Sequence, residues 1–305
     1  MPPARSAEAP SFIKVIDNFE ALYDYITNDG TTFYFKTNLN APNYRVIKIN
    51  LTSPEQFRAP VEVVPESTNP LQGASCIHQD KLVLSYLKDV KDVLQVHDLY
   101  SGDLLRDVPV DIGTINGPTG RRQDSRMFFQ LVSFLSPGTI YAYDFAAAEP
   151  APTVYRTTKL EGFDPSKFQM EQVFYPSKDG TKIPMFLVHK KGIQHNGNRP
   201  VYLYGYGGFS ISLTPSFAVS RLIFIEHMDG VFALANLRGG GCAPPRGTLS
   251  RRCARPADTT ALAPAGARWA TASTARRGMT PASATTSRTC STTLSPRPST
   301  WSRPT

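Results

Sequence analysis

The sequence predicts a mixed fold with three parts: a partial β-propeller of about three blades over residues 11–160, an α/β unit over residues 161–241, and a disordered C-terminal tail. Strand-like segments recur at nearly constant spacing in the first part. The order strand, loop, helix, strand follows in the second part, and the composition changes abruptly after Gly241. Residues 1–10 are expected to be disordered.

The propeller prediction depends on three segments that each end in Asn or Asp followed by an apolar residue. They are Arg45 to Leu51, Val93 to Leu99 and Thr139 to Phe145. Asn50 and Asp98 are 48 residues apart and Asp98 and Asp144 are 46 apart, a spacing typical of repeats that each form one small antiparallel sheet. A β-sandwich with similar strands is the alternative. In either fold, we expect Asp98 and Asp144 to organise turns rather than to catalyse.

Local patterns predict the other elements in chain order. Tyr23 to Ile26, an Asp29-Gly30 turn and Thr31 to Lys36 indicate a hairpin. The α/β unit is predicted to contain strands at Gln169 to Tyr175, Ile183 to Val188, Tyr202 to Phe209 and Val231 to Leu237, and a helix from Ser216 to His227. Ser216 is expected to cap this helix, whose predicted buried stripe is Val219, Leu222, Ile223 and Ile225. The glycine-bearing loops 205–208 and 239–241 should lie together at the carboxyl edge of the sheet.

The tail, residues 242–305, has a composition unlike that of a folded domain. It contains no Val, Ile, Phe, Tyr, Lys, Glu, Asn, Gln or His, but 13 Thr, 12 Ala and 10 Arg. Such a segment has too little apolar surface to offset the entropy lost on ordering. Residue types whose codons carry C or G at the second base make up 59 of its 64 positions. A GC-rich third codon position, read one base out of step, would become the second position and produce this composition. We therefore infer a shifted reading frame. A natural Arg-rich tail is the competing explanation.

Charge and cysteine content limit the classes of function. The whole chain is +8, but the tail carries 10 Arg and one Asp, a net of +9, which leaves −1 for residues 1–241. That balance gives no electrostatic case for membrane or specific nucleic-acid binding, although the tail could attract polyanions. Only Cys76 lies before the tail, and Cys242, Cys253 and Cys290 lack metal-ligand spacing. We therefore expect no disulfide, metal or cofactor, and the absence of a signal-like apolar stretch favours a cytoplasmic location.

Three motifs identify a family. They are Phe174 to Phe186 (FYPSKDGTKIPMF), Tyr204 to Phe209 (YGYGGF) and Asn236 to Gly241 (NLRGGG). With these motifs, residues 11–241 resemble prolyl oligopeptidase. The resemblance implies the last propeller blades followed by the start of an α/β-hydrolase domain, in a serine endopeptidase that cleaves short proline-containing peptides after proline. It also implies that intact members of the family are monomers.

The resemblance assigns roles to two residues of this chain. Tyr206 falls on the tyrosine that helps to form the oxyanion hole, and Phe209 falls on a wall of the pocket for the substrate proline. Both roles are chemically sound, because a phenol can donate to a developing oxyanion and a phenyl face suits a pyrrolidine ring.

The catalytic triad cannot be assigned within the 305 residues. They contain no Gly-x-Ser-x-Gly nucleophile elbow, and the last histidine is His227. The five histidines have no zinc-helix spacing, and we expect structural or solvated roles for them. Ser210, Ser212 and Ser216 are not in an elbow pattern, so we interpret them as loop and helix-start residues.

Two classes of function therefore stay open. The first is a prolyl oligopeptidase-type peptidase of which this chain is an inactive, truncated or mis-framed piece. The second is a non-catalytic propeller module that binds peptides or proteins, and a weaker third is polyanion binding by the tail. Unpaired sheet edges and uncovered apolar faces predict an unstable or insoluble chain.

Overall fold

A computed structural model describes residues 14–194, 196–209 and 211–239. In these ranges the chain forms sixteen β-strands, one α-helix and two short 3₁₀ helices, at Pro54–Phe57 and Pro165–Lys167. The predictions of disorder for residues 1–10 and 242–305 concern positions outside these ranges. His195, Ser210, Gly240, Gly241 and the three tail cysteines also lie outside them.

Twelve strands form three four-stranded sheets, in each of which consecutive strands pair antiparallel. The first sheet contains β1 (Tyr23–Asp29), β2 (Thr32–Thr37), β3 (Arg45–Asn50) and β4 (Val61–Val64). The second contains β5 (Leu71–Ile77), β6 (Lys81–Lys88), β7 (Lys91–Asp98) and β8 (Leu104–Val108). The third contains β9 (Thr114–Thr119), β10 (Arg126–Val132), β11 (Thr139–Asp144) and β12 (Pro152–Thr157). The repeat in the sequence thus corresponds to one sheet per repeat.

The three repeated Asn and Asp residues each end the third strand of their sheet and shape the turn that follows. The Asn50 Oδ1 accepts from the Thr52 backbone N–H at 3.0 Å, and the Asp144 Oδ1 accepts from that of Ala146 at 3.0 Å. The Asp98 Oδ1 accepts from two backbone N–H groups, those of Tyr100 and Ser101, both at 2.9 Å. The predicted turn-forming role is therefore confirmed.

The predicted hairpin near the start of the first sheet is also present. Asp29 pairs with Thr32 across the turn, and Gly30 has a φ of +55°, a value that glycine adopts without steric cost. The strands reach further than the sequence indicated, because β1 continues to Asp29 and β2 to Thr37.

The three sheets stack face to face. We call the face of a sheet that points toward the following sheet its back face, and the opposite face its front face. Side chains alternate between these faces along each strand. The back of the first sheet packs on the front of the second through Tyr34, Val46, Leu82, Leu84 and Tyr86. The back of the second packs on the front of the third through Val83, Leu94, Val96, Met127 and Phe129.

A fourth sheet of different topology follows. It contains β13 (Phe168–Pro176), β14 (Lys182–Lys190), β15 (Val201–Tyr206) and β16 (Val231–Asn236), in the spatial order β13-β14-β16-β15. The β15 and β16 strands pair in parallel and the other neighbours are antiparallel. A parallel pair needs a crossover connection, and α1 (Val219–His227) lies within it.

The helix α1 differs from the prediction in its start and its buried face. It begins at Val219 after Ala218, and Ser216 makes no cap but accepts from the Arg221 guanidinium through its carbonyl oxygen, at 2.7 Å, and its hydroxyl, at 3.0 Å. Leu222 and Ile225 are buried, whereas Val219 and Ile223 are more than half exposed. The helix thus presents a narrower stripe to the sheet than the apolar spacing suggested.

A third apolar core joins the fourth sheet to loops of the second and third sheets. It contains Val90, Phe134, Phe186, Leu222, Ile225, Phe232 and Leu234. The Phe134 ring lies 5.6 Å from that of Phe186 and 5.8 Å from that of Phe232. A hydrogen bond of 2.7 Å from the Thr114 hydroxyl to the Pro215 carbonyl adds a polar contact between these parts.

Candidate functional site

The loop 205–208 and Gly239, the described residue of the loop 239–241, lie together at the carboxyl ends of β15 and β16, as predicted. Because β15 and β16 are parallel, their carboxyl ends lie side by side, with Tyr206 paired to Asn236. The loops approach so closely that a Cβ added to Gly207 would lie 2.6 Å from the Arg238 carbonyl oxygen and 2.8 Å from the Leu237 Cβ. Glycine at position 207 is therefore needed for contact between the two backbones.

Tyr206 is the last residue of β15 and is 36% exposed. Its ring lies beside Gly208, where an added Cβ would be 2.9 Å from the phenol oxygen. The glycine thus leaves room for the phenol, on a residue that the sheet holds at its backbone and that is partly exposed. An O–H group in this position can donate a hydrogen bond to a bound molecule.

Phe209 is displayed by the same loop. The residue is 92% exposed and its backbone has a φ of +52°, in the left-handed region that bulky residues seldom occupy. A hydrogen bond of 3.0 Å from the Ile211 N–H to the Gly208 carbonyl closes the turn around it. Strained backbone and exposed aromatic surface together are typical of a segment that contacts a ligand or partner.

The side chains of Asn236 and Arg238 hold the two loops in place. The Asn236 amide, which is buried, accepts from the Leu213 N–H at 2.8 Å and donates to the Leu213 carbonyl at 3.2 Å. It thereby holds the segment after Phe209 to the end of β16. The sequence analysis placed Asn236 in a family motif but gave it no role, although an amide at the end of an otherwise apolar strand is a signal of one.

Arg238 ties the second loop to the β13–β14 turn. Its guanidinium pairs with the Asp179 carboxylate and donates to the Ser177 hydroxyl at 3.1 Å. Hydrogen bonds from Thr181, and then the Arg238 guanidinium, hold the pKa of the exposed Asp179 below its usual value. The carboxylate is therefore ionised at neutral pH and keeps its pairing with Arg238.

Comparison with known proteins decides the family. Residues 1–156 match the family described as "Prolyl oligopeptidase, N-terminal beta-propeller domain". The chain belongs to the prolyl oligopeptidase family. The resemblance found in the sequence is thus confirmed, and the first three sheets are part of a β-propeller, which excludes the β-sandwich alternative.

Relatives in this family match about three quarters of the chain. Prolyl oligopeptidase A of Galerina marginata is 40% identical over 229 residues, which is 75% of this chain and 30% of that protein. Prolyl endopeptidase of Dictyostelium discoideum is 36% identical over 240 residues, 74% of this chain and 31% of that protein. The structure of prolyl oligopeptidase B from Galerina marginata, as the apo protein, superposes with a TM-score of 0.66 at 38% identity, covering 75% of this chain and 32% of that one. The chain therefore spans about a third of the length of these relatives.

The described histidines of this prolyl oligopeptidase family member contact mainly backbone carbonyls and rings. His97 Nδ1 lies 2.9 Å from the Gly102 carbonyl, and His189 Nδ1 lies 2.7 Å from that of Lys190. The His78 ring stacks on that of Phe145 at 5.8 Å, and His227 ends α1. These contacts fit structural roles, and none of them joins a histidine to the Tyr206 loop.

Three further findings concern metal ligands, apolar helices and cysteine in the part of the chain that the structure describes. Over those residues no group of three or more His, Cys, Asp or Glu side chains is arranged to hold a metal ion. None of the described helices is both long and apolar enough to span a membrane. Cys76 is a free thiol, buried and 3.3 Å from the Gln79 carbonyl.

Proposed function

We propose that this chain supplies the propeller and the oxyanion side of a prolyl oligopeptidase-type site that hydrolyses short peptides after proline. The observation that carries the proposal is the position of Tyr206, a partly exposed residue at the carboxyl end of β15 whose phenol lies beside Gly208. The names of the relatives, prolyl oligopeptidases and prolyl endopeptidases, support the same reaction class.

In this proposal, Tyr206 acts as an oxyanion donor. Attack on a peptide carbonyl places negative charge on its oxygen, and a donor already in position stabilises that charge without reorganisation. The β15 backbone and the close contact with Gly208 limit the positions that the ring can adopt. The phenol would therefore be oriented before the substrate arrives.

Phe209 acts as the apolar wall for the substrate proline. The exposed ring presents a flat surface that suits a pyrrolidine, and its burial on binding would contribute to affinity. Two contacts fix the loops that carry this wall. Asn236 is hydrogen-bonded to the Leu213 backbone, and Arg238 forms an ion pair with Asp179.

The fourth sheet and α1 are, in the same proposal, the start of an α/β-hydrolase domain over residues 161–241. The parallel β15–β16 pair with an intervening helix supports this assignment. The 305 residues contain no Gly-x-Ser-x-Gly elbow, so we propose that this polypeptide alone does not cleave peptides.

The coding nucleotides after Gly241 provide the first test. We expect an alternative frame to encode a continuation that contains a Gly-x-Ser-x-Gly elbow. If neither alternative frame does so, the frameshift proposal is wrong and the Arg-rich tail must be taken as real.

Activity measurements provide the second test. We expect the 305-residue chain to leave a fluorogenic Gly-Pro peptide intact, and the frame-corrected chain to cleave it. In the frame-corrected chain, Tyr206→Phe should lower kcat by about 100- to 1,000-fold, as for loss of one oxyanion donor. Tyr204→Phe is the matched control, since Tyr204 is a similarly exposed tyrosine two residues earlier on the same strand and therefore on the same face. Turnover by the 305-residue chain that falls on Tyr206→Phe would contradict its predicted inactivity.

A further inference from the structure

An open cleft of about 390 Å³ lies between the first and second sheets. The back of the first sheet lines it with residues that include Lys48 and Val61, and the turn after β7 lines it with Tyr100. That turn touches β4, because a Cβ on Gly102 would overlap the Val63 carbonyl oxygen. The cleft is thus formed between two sheets that this chain itself supplies, and its volume is in the range of small-molecule sites.

Lys48 occupies a position that is apolar in the other two propeller sheets. It lies two residues before the Asn that ends its third strand, and Val96 and Ala142 hold the same place before Asp98 and Asp144. Val96 is buried against the third sheet, whereas Lys48 is only half-buried and faces the cleft. A cation thus stands where the repeat otherwise places an apolar side chain.

The Lys48 ammonium has no counter-charge among the residues that the structure describes. Tyr34 and Val61 are its register neighbours on β2 and β4, and no described residue forms an ion pair or a hydrogen bond with it. Asp29 also lines the cleft, but its carboxylate pairs with Arg122 at 2.7 Å. A half-buried charge is costly unless a partner neutralises it, so an anion in the cleft would be stabilised.

The amides of Asn50 and Gln56 add hydrogen-bond donors to the same cleft. The Asn50 Oδ1 accepts from the Thr52 N–H at 3.0 Å and from its hydroxyl at 2.8 Å, and the Gln56 Oε1 accepts from the Asn50 N–H at 2.9 Å. These bonds engage the amide oxygens, and the NH₂ groups, which bond to no described residue, are left to donate to a bound molecule. The Thr32 hydroxyl lines the cleft as a further donor.

Two walls of the cleft favour an organic acid over an inorganic anion. Val61 is 41% exposed and Tyr100 is 53% exposed, so both offer apolar surface that the side chain of a ligand can cover. Asp98 fixes the turn that carries Tyr100, because it accepts from the Tyr100 N–H at 2.9 Å. The apolar wall is therefore held in place beside the donors.

We propose that this cleft binds the carboxylate of a small organic acid, about the size of the C-terminal residue of a peptide. Lys48 supplies the charge, and Thr32, Asn50 and Gln56 supply hydrogen bonds to the carboxylate oxygens. The cleft shares no residue with the proposed peptidase site at Tyr206, so this binding does not depend on that function.

Fluorescence anisotropy with the purified 305-residue chain tests the proposal. The probes are a Gly-Gly-Leu tripeptide that carries an uncharged dye at its amino end and a free carboxylate, and the same peptide as its C-terminal amide. We expect the free acid to bind at least about tenfold more tightly than the amide, as for one charge-assisted contact. Lys48→Met should remove this difference, and Thr32→Val should weaken binding of the acid by about three- to tenfold.

Lys88→Met is the matched control. Lys88 is an exposed lysine at the other end of the second sheet, so its loss changes the net charge equally and should leave both affinities unchanged. The control matters because the Arg-rich tail could attract the free acid on its own. Binding to the tail would persist in Lys48→Met, and an undiminished affinity in that variant therefore overturns the proposal.

Three other outcomes also overturn it. They are a parent chain that binds neither peptide, equal affinity of the parent for the acid and the amide, and competition by inorganic phosphate that equals competition by acetyl-leucine. The last result would show a general anion site in place of one for organic carboxylates. Selective displacement of the dye-labelled acid by acetyl-leucine, absent in Lys48→Met, supports the proposal.

Two measures keep the result independent of folding and solubility. Circular dichroism compares each variant with the parent, and Lys48→Arg, which keeps the charge, should bind the acid within about threefold of the parent. If Lys48→Met does not fold, Thr32→Val decides, since valine favours strands as threonine does, and unchanged affinity in that variant overturns the proposal. If the purified chain precipitates, tagged chain captured on resin directly from the lysate is incubated with the two peptides, and the same pattern of retention is required.

Discussion

Asp98 illustrates how a single carboxylate shapes the turn after a third strand. Its Oδ1 accepts from the Tyr100 and Ser101 backbone N–H groups, which would otherwise lack partners within the turn. These bonds, that from Ser101 foremost, hold the pKa of Asp98 below its usual value. The carboxylate therefore stabilises the folded state more than its neutral form does.

We expect Asp98→Ala to lower the free energy of unfolding by about 1 kcal/mol at pH 7, because two hydrogen bonds to backbone are lost at a largely accessible site. Since the folded-state pKa is lowered, this contribution is complete above the unfolded-state value of about 4 and disappears as the pH falls through the folded-state value. Urea titrations at pH 7 and pH 3 measure both effects. Asp103→Ala, in the same turn and exposed, is the control; an equal loss in both variants would contradict the assignment.

At the scale of elements, α1 shows why apolar spacing predicted the helix but not its first residue or its buried face. Arg221 packs between α1 and the sheet, with its guanidinium 4.8 Å from the Phe232 ring centroid and 6.0 Å from that of Phe134. The same group donates to the Ser216 carbonyl and hydroxyl, so Ser216 tethers a side chain instead of capping the helix. Burial lowers the pKa of Arg221, as expected for a cation placed among aromatic rings.

We expect Arg221→Ala to destabilise the docking of α1 by about 1 to 3 kcal/mol, through loss of the cation–π contacts and two hydrogen bonds. Arg221→Lys should recover only part of this, because an ammonium lacks the planar guanidinium that can stack on aromatic rings. Hydrogen exchange of the α1 and β16 amides measures the local effect. Ser220→Ala, exposed on the same helix, should leave exchange unchanged, and equal protection in Arg221→Ala and Ser220→Ala would refute the role given to Arg221.

Elements with a strong local signal were predictable from the sequence. The β1–β2 hairpin, the third strand of each of the first three sheets and the adjacency of the two glycine-bearing loops follow from alternation, turn residues and parallel pairing. The partner of Asn236, which is Leu213, and the ring contacts of Arg221 were not predictable, because the tertiary fold alone brings these groups together. The site residues Tyr206 and Phe209 came from family resemblance, and their catalytic roles stay predictions.

At the scale of the whole molecule, one side chain links the first three sheets. Arg122, in the β9–β10 turn of the third sheet, donates to the Gln79 carbonyl of the second sheet at 2.6 Å. It also donates to the Asn28 carbonyl at 2.8 Å and pairs with Asp29 at 2.7 Å, both in the first sheet. These partners lie as far as 94 residues from it in the sequence, so no local pattern could have indicated the contact.

The position of Arg122 predicts that its loss separates the first sheet from the others. We expect Arg122→Met to keep the apolar stem but lower the free energy of unfolding by about 2 to 4 kcal/mol, because several charge-assisted bonds are lost and Asp29 is left without its cation. Protection of the β1 and β2 amides from hydrogen exchange should fall before that of β10. Arg121→Met, at the exposed neighbouring arginine, is the matched control and should change stability by less than about 0.5 kcal/mol. If the two variants unfold alike, or if β1 and β10 lose protection together, the stacked sheets are held by their apolar faces alone and Arg122 is not a link between them.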